Sequence, residues 1–110
     1  PPSVEPLTDV VLRLRSLIAD LDRVHAGQRV LLVCHDAVIL LIRYILEGLT
    51  ERELLDIAAT TAILNASVSR FVRPGGSGPW QLESFNMADH LMSEGVPVTE
   101  HAGDANVHPR

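Results

Sequence analysis

The chain of 110 residues has little cysteine, little basic charge and no long apolar run. Its single cysteine, Cys34, rules out a disulfide within the chain and favours a reducing compartment, so we expect a cytoplasmic protein. The 9 lysines and arginines against 14 acidic residues give a net charge of -5, which argues against a nucleic-acid surface. The longest apolar stretch, 37–46, is interrupted by Arg43 and is too short to cross a bilayer. We therefore expect neither nucleic acid nor a membrane as a partner.

Apolar residues make up 46% of the chain, enough for the core of one small domain, and their spacing predicts three helices. Residues 8–24 form an amphipathic pattern of period 3.6. Residues 36–47 are apolar nearly all round, so we expect this helix to lie deep. The capping box Thr50-Glu51-Arg52-Glu53 opens a short helix that runs to about Ala58.

Three segments predict strands. Residues 29–34 are continuously apolar, as in a parallel strand buried on both faces, whereas 63–73 and 80–85 flank a Pro/Gly-rich loop and predict a hairpin. The order of elements indicates an α/β fold, with a mixed sheet covered by helices on both faces. This sheet lacks neighbours, and the first residue is not Met. We therefore expect a piece of a longer chain, incomplete at the N-terminal side, that associates with a second copy or with a missing N-terminal segment.

His35 stands where the predicted strand 29–34 meets the predicted helix 36–47. Open α/β sheets place ligands at this edge, and the start of a helix attracts anions through its unpaired N–H groups and its dipole. An imidazole at this position can hold a phosphate oxygen or relay a proton. A histidine that only caps the helix or bonds a backbone carbonyl is an equal alternative on position alone. The other histidines have no metal-ligand spacing, so we expect no metal and no cofactor.

Four segments, in this order, resemble the histidine phosphatase superfamily, the phosphoglycerate-mutase-like proteins. Residues 1–10 are similar to a Pro-Pro-x-Gly-Glu-Ser-x-x-Asp-Val segment, and Leu32-Val33-Cys34-His35-Asp36-Ala37-Val38-Ile39 looks like the second-histidine motif. Leu64-Asn65-Ala66-Ser67-Val68-Ser69 looks like the Asn-x-Ser-Val strand. Phe85-Asn86 followed by His90-Leu91 looks like the closing Asn-x-x-x-His-Leu element. The resemblance covers residues 1 to about 91.

The resemblance implies a three-layer sandwich with a mostly parallel mixed sheet, of which residues 1–91 are the C-terminal part and 92–110 an irregular tail. It also implies hydrolysis of a small phosphorylated metabolite through a phosphohistidine. His35 matches the second, phosphate-holding histidine, and Asp36 and Ala37 follow it at the phosphate corner. Glu5 matches the acid/base glutamate.

The chain departs from the family pattern in ways that keep other functions open. The nucleophilic Arg-His-Gly motif is absent from these 110 residues, so the phosphohistidine has to form outside them and we expect the chain alone to be inactive. Asp36 stands where many relatives have Gly, and we expect its side chain to cap the helix. Mutase-type phosphoryl transfer and a non-catalytic binding module are the alternatives. A nucleotide-binding domain is disfavoured because no Gly-rich loop follows the predicted strand 29–34.

Overall fold

The described residues form four α-helices and one small antiparallel hairpin. The computed structural model describes residues 6–95 and 97–99. The elements are α1 (Leu7–Val24), α2 (Asp36–Glu47), α3 (Glu51–Thr60), β1 (Val68–Val72), β2 (Gln81–Met87) and α4 (Asp89–Ser93). A 3-10 turn, Pro74–Gly76, lies between the two strands.

Helix α2 is the centre of the packing, as its all-apolar sequence predicts. It contacts α1, α3 and β2. Leu41 and Ile42 are 5% and 8% exposed, and they are the buried residues of α2, whereas α1 and α3 have none. Gly48 ends α2 in the left-handed conformation (φ 67°), which glycine adopts without steric cost.

The predicted capping box is confirmed at the start of α3. The Thr50 hydroxyl accepts a hydrogen bond from the Glu53 amide at 3.1 Å, and the Thr50 amide donates to a Glu53 carboxylate oxygen at 2.9 Å. Hydrogen bonding to the Glu53 carboxyl group, first from the Thr50 backbone amide and then from the Thr50 side chain, lowers the pKa of that group. The short helix therefore begins through a local interaction that a four-residue pattern encodes.

The hairpin of β1 and β2 is also confirmed. Val72 pairs with Gln81 next to the turn, and Val68 pairs with Met87 at the far end, with register shifts on either side of Arg70. The Arg73 guanidinium lies 4.4 Å from the centre of the Trp80 ring and donates to Asp22 of α1 at 2.8 Å. Trp80 thus packs within the hairpin, and the same arginine attaches the hairpin to α1.

Strand β1 is shorter than the predicted strand 63–73 because a turn takes up its first half. Ala66 has a φ of 58°, and the Ser67 amide donates to the Leu64 carbonyl at 3.2 Å. Asn86, also left-handed with a φ of 58°, stabilises this turn from the other strand. Its side chain accepts from the Leu64 amide at 2.8 Å and donates to the Ala62 carbonyl at 2.8 Å.

The predicted strand 29–34 is wrong, because this segment forms no strand in the part of the chain that the structure describes. Leu31 and Val33 are 83% and 91% exposed, so the segment has the apolar composition of a buried strand without its burial. The described residues form a two-stranded antiparallel sheet instead of a mostly parallel one. A strand needs hydrogen-bonding neighbours, and residues 6–95 place none beside this segment.

The chain after β2 contacts the turn before β1. Helix α4 runs through Ser93, so its last two residues belong to the segment 92–110 for which we expected a tail. The Thr99 carbonyl accepts from the Asn65 amide at 2.7 Å, and the Asn65 side chain donates to the Thr99 hydroxyl at 2.8 Å. The domain boundary at residue 91 stays a prediction. Among the helices described, none combines the length and apolarity needed to span a bilayer.

Candidate functional site

The candidate site is built around His35, the residue that begins helix α2. His35 is the N-cap, with extended backbone (φ -85°, ψ 165°). Its carbonyl accepts from the amides of Val38 at 3.1 Å and Ile39 at 3.2 Å, which fixes the first turn of the helix. Its imidazole is exposed and makes no cap hydrogen bond, so the alternative of a side-chain cap is not what the structure shows. The ring is accessible to a ligand at the positive end of the helix dipole.

Asp36 corrects the expectation that it would be the N-cap. His35 has that position, and Asp36 is the first residue of α2. Its carboxylate instead accepts a hydrogen bond from the amide of Ala37 at 2.8 Å. A carboxylate in the first turn favours the helix through the dipole, and this one also engages a backbone donor that an anionic ligand would otherwise use.

Cys34 comes just before His35 and differs from it in environment. Its side chain is partly buried, whereas His35 is exposed. Burial raises the pKa of the Cys34 thiol, because the low-dielectric surroundings disfavour the thiolate. The thiol is therefore a poor nucleophile.

Arg43 is a cation on α2, and its guanidinium contacts Glu47 and Phe85. Its guanidinium makes two contacts with Glu47, at 2.6 and 3.2 Å, and lies 4.4 Å from the centre of the Phe85 ring. The ion pair lies within α2, and the contact with the Phe85 ring joins α2 to β2. The guanidinium of Arg43 therefore has a packing role.

The remaining predicted site residue, Glu5, lies outside the described residues, so its role as acid/base group stays a prediction. Within residues 6–95 and 97–99, no group of three or more histidine, cysteine, aspartate or glutamate side chains is arranged to hold a metal ion. The structure thus brings His35, Asp36 and Ala37 together at one helix start. Asn86 is the residue whose role sequence reasoning missed, although the Asn that closes a strand is a frequent sign of left-handed backbone.

A profile of the histidine phosphatase superfamily (branch 1) matches residues 1–88, four-fifths of the chain. The chain therefore belongs to the histidine phosphatase superfamily, as the four sequence segments predict. Neither a curated protein nor a solved structure matches it significantly. Membership supports phosphoryl-transfer chemistry in general and an α/β fold.

Proposed function

We propose that the protein is a phosphomonoester hydrolase that acts on a small phosphorylated metabolite in the cytoplasm. Family membership over residues 1–88 carries this proposal, and the exposed imidazole of His35 at the start of α2 supports it. A helix start with an accessible imidazole combines partial positive charge with a hydrogen-bond donor, which is what a phosphoryl group needs.

In this proposal a histidine outside these 110 residues attacks the phosphorus atom. The phosphorus–nitrogen bond forms as the bond to the leaving alcohol oxygen breaks, and Glu5 gives that oxygen its proton. Water then attacks the phosphohistidine, which releases inorganic phosphate and restores the nucleophile. A hydrogen bond from the His35 imidazole and the dipole of α2 stabilise the charge on the transferring phosphoryl group. No step needs a metal or a cofactor.

Two alternatives keep the same site. In mutase-type transfer, the phosphohistidine passes its phosphoryl group to a second alcohol instead of water. In a binding module, the corner holds phosphate without turnover. Trapping with ³²P-labelled substrate separates the cases: an acid-labile protein phosphate indicates a phosphohistidine, and inorganic phosphate as product indicates hydrolysis.

The role of His35 is tested by His35→Ala in the protein expressed from its complete reading frame. We expect phosphate release from p-nitrophenyl phosphate to fall by about 10²-fold or more, since removal of one preorganised hydrogen-bond donor to the developing charge costs about 10² to 10³ in rate. His25→Ala is the matched control. His25 is an exposed histidine next to the end of α1, and among the described residues its side chain hydrogen-bonds with that of Gln28. Unchanged release by His35→Ala would refute the proposal.

A further inference from the structure

We draw no further inference here: the strongest candidate, the apolar surface patch of segment 29–34 in which Leu31 and Val33 are 83% and 91% exposed, carries nothing further because nothing within residues 6–95 and 97–99 shows what covers it.

Discussion

The molecule contains two apolar regions that differ in what surrounds them. In α2, Leu41 and Ile42 are buried where the helix meets α1, α3 and β2. In segment 29–34, the side chains of Leu31 and Val33 are almost fully exposed. The two regions are joined at His35, so the candidate site lies where a packed element begins and an unpacked one ends.

The difference between α2 and segment 29–34 shows what a helix and an extended segment each need to be stable. A helix satisfies its backbone N–H and C=O groups within itself, and α2 then needs only one apolar face against its neighbours. An extended segment satisfies those groups only through another chain segment, however apolar it is. Apolar composition alone therefore stabilises α2 and does not stabilise segment 29–34.

The largest expected effect is in α2. Leu41→Ala removes a side chain that is 5% exposed, and we expect it to lower the free energy of unfolding by about 2–5 kcal/mol. The matched substitution Leu31→Ala, at a residue 83% exposed, should change that free energy by no more than about 0.5 kcal/mol. Urea denaturation followed by circular dichroism measures both. Equal losses would show that segment 29–34 is packed as α2 is.

An intermediate effect is expected at Asn86, which connects β2 to the turn before β1. Asn86→Ala removes two side-chain hydrogen bonds and places alanine in left-handed backbone, so we expect a loss of about 2–3 kcal/mol in the free energy of unfolding. Asn86→Gly removes the same hydrogen bonds but accepts the backbone conformation. It should therefore be the milder variant, and a reversed order would mean that the left-handed backbone at this position carries no steric cost for alanine.

The smallest effect on stability, and a distinct effect on association, is expected in segment 29–34. Contiguous exposed apolar residues with unpaired backbone invite pairing with another chain, so we expect the 110-residue chain to self-associate in light scattering. Leu31→Glu should raise the concentration needed for association several-fold. Leu55→Glu, at a leucine of α3 that is 66% exposed, should not. A monomer at all concentrations would contradict this expectation.

The helices could be predicted from the sequence because their signals are local. The capping box of α3, Gly48 at the end of α2 and the apolar period of α1 each lie within a few residues of what they determine. The hairpin is predictable for the same reason, since its strands flank one short loop. A strand at 29–34 is different, because its existence depends on partners that no local pattern specifies.

The candidate site, like the fold, was predictable only where the signal is local. The meeting of His35, Asp36 and Ala37 follows from their adjacency and from the helix start. The N-cap was misplaced by one residue, since both His35 and Asp36 are polar and the choice between them depends on backbone geometry. Glu5 and His35 are 30 positions apart in the sequence. Their presence in one site is implied by the family resemblance and stays a prediction.

The Arg73 guanidinium joins residues 51 positions apart in sequence when it contacts Asp22. Contacts of such separation carry a larger loop-closure cost than those within a hairpin, so they form late in folding. Helix α1 has no buried residue of its own, and this ion pair with the stacked Trp80 is one of its few attachments. We therefore expect α1 to dock last and to undock first, as a separate cooperative unit whose opening leaves α2 and the hairpin folded.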